Sequence, residues 1–176
     1  MSLLERLFGS ARPAPERETA DGDTDTVRRI VGELEALDPA TARYLAAFAY
    51  ILSRVAHADL DISPEETVKM EEILRDLGHL PPEQAVLVVQ IAKSQKTLFG
   101  GTENFLVTRE FKEIATREQR EELVDCLFAV SAADDAISVT EEEEIRRIAT
   151  ELGFDHRDYV DARSRYSDYR DVIRGL

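Results

Sequence analysis

The sequence predicts an all-α fold, a compact bundle of about seven to eight helices with an internal helix–acidic loop–helix repeat. Three observations lead there. Apolar residues recur at helical spacing almost without pause from Val27 onward. Helix-starting residues stand in front of most of these runs. No alternating apolar run joined by Asn-Gly or Asp-Gly competes for a β-hairpin. The 8 Gly and 6 Pro among 176 residues leave room for long, uninterrupted helices.

Residues 1–23 read as a short amphipathic segment followed by a flexible linker, and residues 24–176 as the helical domain. Leu3, Leu4, Leu7 and Phe8 fall on one helical stripe, fit to dock on a partner or a membrane or to cap the chain's own core. Glu5 and Arg6 interrupt that stretch, so it does not read as a signal peptide. Gly9 to Thr24 is rich in Pro, Ala, Glu and Asp and has no apolar period.

Val27, Ile30, Val31 and Leu34 then mark a first helix. Asp38 followed by Pro39 is an N-cap with proline at the first helical position. Tyr44, Leu45, Phe48, Ile51, Leu52 and Val55 line one apolar face of the helix it opens. Ser63-Pro64-Glu65-Glu66 is a capping box; its helix carries Val68, Met70, Ile73, Leu74 and Leu77 and ends at Gly78. Pro81 and Pro82 open a very apolar helix through Ile91, which Gly100 and Gly101 break. A helix over roughly 103–115 takes in the cluster Phe105-Leu106-Val107. Thr116 and Gln119 form a second capping box, opening a helix with Leu123, Leu127, Phe128 and Val130. A last pair covers roughly 139–152 and 155–173.

Lys plus Arg number 22 against 36 Asp plus Glu, a formal net charge of −14. A field of that sign repels nucleic-acid phosphates and anionic lipid. Arg28, Arg29 and Arg43 are too few to build a basic patch, so nucleic acid is not expected as a partner. A metal cation or a basic protein surface is the better complement. The one cysteine, Cys126, lies in an apolar helical run and reads as a small buried hydrophobe of a protein in a reducing cytoplasm. No run of 18 apolar residues exists, so no transmembrane helix is expected.

The most informative feature is self-similarity at an offset of 75 residues. Phe48–Gly78 aligns on Leu123–Gly153 without a gap and matches at ten positions, among them Asp59/Asp134, Ile62/Ile137, Ser63/Ser138, Glu66/Glu141 and Gly78/Gly153. Ser and Glu are explained as caps and Ile as a core plug. The aspartates are harder to place. Asp59 and Asp134 fall where a helix ends, and a carboxylate there faces the negative end of the macrodipole. Asp61 and Asp135 add charge in the same loops. Either these groups point into water or a cation offsets their repulsion; with no Cys or His among them, a hard oxygen-ligand ion such as Ca²⁺ or Mg²⁺ is the most compatible. The loops are not EF-hands: counted from Asp59, position six is Pro64 and position twelve Met70; counted from Asp134, they are Val139 and Ile145.

At these residues the chain resembles the tellurite-resistance TerB family. That family's turn, Ala-Asp-Gly-x-Ile/Val-Ser-x-x-Glu, occurs in two copies; here it stands as Asp59 to Glu66 and Asp134 to Glu141, and the resemblance spans roughly residues 40–155. It implies a helical bundle of seven or eight helices and a stress-response role of the tellurite- or phage-resistance kind, exercised with other proteins near the bacterial inner membrane. It also implies metal binding at Asp59, Asp61 and Glu66, then Asp134 and Glu141, with Asp135 completing the candidate set. Leu60 and Asp135 stand where the family has Gly, and Ala136 replaces a commonly polar residue.

Catalytic residues are not expected. His57, His79 and His156 are isolated, His57 having Ala132 as its repeat partner. There is no Gly-rich phosphate loop, no Gly-x-Ser-x-Gly turn, no HExxH motif and no Glu with His three residues later. The resulting expectation is a cytoplasmic, non-enzymatic adaptor, peripheral to the inner membrane at most. The alternative is a metal-free interaction scaffold whose partner is a protein, a membrane protein among the candidates. The sequence does not speak to its oligomeric state.

Overall fold

A computed structural model of the chain describes residues 21–56, 62–94, 104–133 and 136–167. Among these residues there are eight helices: α1 (Asp21–Glu35), α2 (Pro39–Ala56), α3 (Pro64–Asp76), α4 (Pro82–Lys93), α5 (Asn104–Ile114), α6 (Arg117–Ala132), α7 (Val139–Glu151) and α8 (His156–Ser164). The only extended pairing among them is a single bridge residue, Ile137. The all-α bundle is as expected. The N-terminal stripe, the Gly100–Gly101 break and the chain beyond residue 167 lie outside the described residues.

Helix starts fall where the sequence places them because each is marked chemically. Asp38 accepts from the Thr41 N–H at 3.0 Å ahead of α2. Ser63, Thr116 and Ser138 head α3, α6 and α7 with complete capping boxes, and Asp155 caps α8 through Asp158. Helix α1 reaches back to Asp21, into the stretch read as linker.

Helix ends were less legible. In α7, Gly153 takes a left-handed φ of 89°, with Gly153 N donating to Thr150 O at 3.0 Å and Phe154 N to Ala149 O at 3.0 Å, a Schellman closure. In α3 the closure is one residue longer, Leu80 N reaching Leu74 O at 3.2 Å. The left-handed residue there is His79, at φ 51°, and not Gly78. Gly78 is required for space: a Cβ on it would lie 2.7 Å from Leu74 O and 3.2 Å from the Sγ of Cys126 on α6. Helix α8 stops at Ser164, short of the expected residue 173. The Ser164 hydroxyl donates to Asp161 O at 2.7 Å, and Tyr166 turns to stack on Phe128 with centroids 5.4 Å apart.

Helix α2 is the axis of the bundle. None of residues 45–52 exposes more than 2% of its surface. The apolar face expected from Leu45, Phe48, Ile51 and Leu52 is completed by Ala46, Ala47 and Ala49, which are small enough to let neighbours approach on the other sides. Around α2 pack α4, α5, α6 and α7; α3 lies on α4 and α6, and α8 on α6 and α7. Tyr44, Phe48 and Phe111 form an aromatic cluster between α2 and α5. Cys126 is buried as expected, and burial pushes its thiol well above the usual range. No described helix is long and apolar enough to cross a membrane.

At the end of α2 a charge is buried. The Arg54 side chain is 4% exposed and bridges Glu144 and Glu151 of α7, with Nε donating to Glu144 at 2.8 Å and Nη1 to Glu151 at 2.8 Å. Thr108 of α5 donates to the same Glu151 oxygen at 2.6 Å. Burial, the largest single effect, opposes ionisation of both groups, and the hydrogen bonds and charge attractions of Glu144, Glu151, Thr108 and the nearby arginines together outweigh it: the Arg54 pKa is raised and the Glu151 carboxyl falls below its ordinary 4.5.

Two outcomes follow from this packing. Arg54→Ala leaves Glu151 without its buried partner and Glu144 with Arg147 alone, and is expected to cost about 3–5 kcal/mol in urea unfolding, while Arg54→Met combined with Glu144→Leu and Glu151→Leu recovers most of the loss. Because the folded pKa of Glu151 is depressed, its contribution is present above about pH 4.5 and fades as pH falls through the folded value, so the acid limb of a stability–pH curve flattens in Glu151→Gln. Gly153→Ala is expected to cost about 1–2 kcal/mol through its left-handed backbone, with Gly153→Asn milder.

Candidate functional site

The two copies of the repeat begin their second helices in the same way. Ser63 (φ −65°, ψ 162°) and Ser138 (φ −68°, ψ 158°) share one backbone conformation. Ser63 N donates to Glu66 Oε2 at 2.6 Å, and Ser138 N to Glu141 Oε2 at 2.8 Å. The return bonds, Glu66 N to Ser63 Oγ and Glu141 N to Ser138 Oγ, are both 3.2 Å. Each glutamate therefore satisfies an orphan N–H at its helix start while the rest of its carboxylate stays available. The Ser63 N–H holds the Glu66 carboxyl below its usual range.

These two carboxylates, 75 positions apart in the chain, line one small cavity of about 40 Å³. Its wall is completed by Ala56 and Ile62, by Lys69 and Met70 on α3, and by Val130, Ser131 and Ala133 at the end of α6. Helices α2 and α6 end here while α3 and α7 begin, so the negative ends of two helices meet the positive ends of two others. The volume suits a single small ion or one water molecule.

Ser131 breaks the symmetry. Its repeat counterpart is Ala56, on the same wall. Ser131 is 3% exposed, and its Oγ has no hydrogen-bond partner among the described residues. A serine inside a helix ordinarily bonds back to a carbonyl three or four residues earlier, as Thr108 does to Asn104 O at 3.1 Å. An unsatisfied buried hydroxyl costs about 1–3 kcal/mol, a cost that a polar occupant of the cavity would remove.

Of the residues expected to hold a metal, Glu66 and Glu141 are brought to this one cavity; Asp59, Asp61, Asp134 and Asp135 lie outside the described residues, as does His57. Among the described residues no three His, Cys, Asp or Glu side chains group closely enough to hold a metal ion. The charged donors described there, two carboxylates, are oxygen, and the rest of the wall is mostly apolar. Lys69 reaches the same cavity and acts as a counter-charge that such a cation would have to outcompete.

Two other clefts bear on chemistry. One of about 340 Å³ between α6 and α8 is rimmed by Glu121, Asp125, Asp158 and Asp161. Arg117 pairs with Glu121 at 2.9 Å and with Asp158 at 2.8 Å, and Arg165 pairs with Asp125, so most of this rim is held in ion pairs. In the second, an open cleft of about 560 Å³, His79 Nδ1 lies 2.8 Å from Glu122 with the imidazole largely exposed. Neither sequence spacing nor composition pointed to Ser131, since the repeat differs at many other positions as well.

Comparison with curated proteins and with solved structures gives no match. A family model does match: the model for tellurite resistance protein TerB covers residues 44–164, from the buried core of α2 to the end of α8, and includes both capping glutamates and Ser131. The chain belongs to the TerB family.

Proposed function

We propose that this TerB-family chain is a non-enzymatic adaptor of the tellurite-resistance and stress-response type that takes up a divalent cation, Ca²⁺ or Mg²⁺ being the most compatible, between its two acidic interhelical loops. The observation that carries this reading is that Glu66 and Glu141, 75 positions apart in the chain, line one small cavity. A bound cation would supply the positive charge that offsets crowded carboxylates. The chain's own residues do the rest. Ser63 and Ser138 orient the two glutamates, and Arg54, clamped between Glu144 and Glu151, fixes α7 against α2 so that the two loops stay in register. Asp59, Asp61, Asp134 and Asp135 would complete the donor set from the adjoining loops. A role in the cytoplasm, at the inner-membrane surface at most, is consistent with a net charge of −14 and with described helices too short or too polar to span a bilayer. The ion-paired rim of the cleft between α6 and α8 supports a non-enzymatic reading, since its carboxylates are committed to arginines and not poised for proton transfer.

A second reading, a metal-free interaction scaffold, is favoured by Phe105 and Leu106. These neighbours on α5 are 57% and 47% exposed and form an apolar surface that a protein partner could cover.

Calorimetric titration of the full chain with Ca²⁺, Mg²⁺, Mn²⁺ and Zn²⁺ separates the two. Cation binding predicts heat and a rise in melting temperature with at least one ion, both lost in Asp59→Ala/Asp134→Ala. Absence of heat and of any melting shift with all four ions rejects it in favour of the scaffold.

A further inference from the structure

The open cleft of about 560 Å³ stands apart from the acidic loops. It lies where α2 begins, where the chain turns from α3 into α4, and where α5 passes into α6. Its floor is apolar, built from Tyr44, Leu80, Pro81 and Ile114, of which Ile114 is 36% exposed. Its carboxylates are Glu118 and Glu122, and no lysine or arginine lines it among the described residues. Glu118 enters no ion pair among those residues, and Glu122 is matched only to the His79 imidazole. The charge of Glu122 reaches the floor: burial first, and then this carboxylate, push the Tyr44 phenol above its ordinary 10.

The cleft between α6 and α8 shows the contrast, since Glu121, Asp125 and Asp158 on its rim are each paired with an arginine of the chain itself. Three helices begin at the edge of the open cleft, yet their N–H groups do not call for an anion. Asp38 caps α2, the Thr116–Gln119 box caps α6, and α4 opens with Pro81 and Pro82, which carry no N–H. What the cleft offers is negative charge above an apolar floor.

We infer that this cleft is the docking site for a basic, amphipathic segment of a partner protein. Lysine or arginine heads of that segment meet Glu118 and Glu122, while their methylene stems and an apolar neighbour cover Tyr44, Leu80, Pro81 and Ile114. Charge complementarity selects this occupant: the two carboxylates repel an acidic segment, and a purely polar one leaves the floor uncovered. None of these residues belongs to the acidic loops, so the cleft serves an adaptor whether or not the loops hold a cation.

Two fluorescein-labelled peptides of equal length and charge test the site on the full chain at physiological salt, one composed of lysine, arginine and leucine, the other with serine in place of leucine. Fluorescence anisotropy is expected to show the leucine peptide binding more tightly by about fivefold or more. Glu118→Gln combined with Glu122→Gln is expected to weaken its binding about tenfold. Glu72→Gln combined with Glu143→Gln removes the same charge from exposed helix surfaces elsewhere and is expected to change the affinity by less than about twofold. In the unsubstituted chain, backbone amide shifts on adding the leucine peptide are expected at residues 78–84 and 114–122, a reading that no folding defect can blur. Equal binding of the two peptides, equal weakening by the two double variants, amide shifts confined to other surfaces, or no binding of either peptide overturns the docking site. None of these outcomes bears on cation uptake, which calorimetry reads separately.

Discussion

The constraint on which the rest of the fold depends is the burial of the middle of α2, residues 45–52. That stretch has no solvent face and needs neighbours on every side, and its sequence supplies them unequal room: Phe48, Ile51 and Leu52 fill space, while Ala46, Ala47 and Ala49 let helices come close. The first copy of the repeat must therefore thread its opening helix through the middle of the molecule, with α6 and α7 of the second copy packed directly against it. Arg54 anchors that arrangement at the end of α2. An arginine buried to 4% exposure is tolerable only with its charge met, and Glu144, Glu151 and Thr108 meet it from two other helices. The buried pairing acts as a register pin: sliding α7 along α2 by one turn would strand at least one charge.

Once α2 and α7 are pinned, the starts of α3 and α7 are set beside one another. Helix starts at Ser63 and Ser138 share one backbone conformation and one set of hydrogen bonds, and their glutamates come to the same cavity. The copies have nevertheless diverged. Ala56 faces Ser131 as a methyl against a hydroxyl. One helix end closes through Gly153 in the left-handed region; the other is a residue longer, puts His79 there, and uses Gly78 to let α3 lie close to Cys126. A duplicated helix pair thus supplies a symmetric frame with one polar, asymmetric point inside it.

Helix content and helix starts were legible in the sequence because their determinants are local: Pro39, the Ser63 and Thr116 capping boxes, and the 3.6-residue spacing from Leu45 to Val55 act within a turn or two of chain. Helix ends were less so. The end of α8 depends on Tyr166 finding Phe128, nearly 40 residues away in sequence, and the role of Gly78 depends on a cysteine in another helix. The repeat revealed which residues matter but not that they share a space; spacing along the chain pointed to two loops and hence two sites. Convergence is a tertiary fact set by how α2 and α6 end side by side. Arg54 was invisible for the same reason, its partners lying 90 and 97 residues downstream.

The most direct measurement is anomalous diffraction from crystals of the full chain grown with Mn²⁺. The expected result is an anomalous peak beside the Glu66 and Glu141 carboxylates. No peak, with both glutamates bound only to their serines and ordinary water density nearby, would contradict the account.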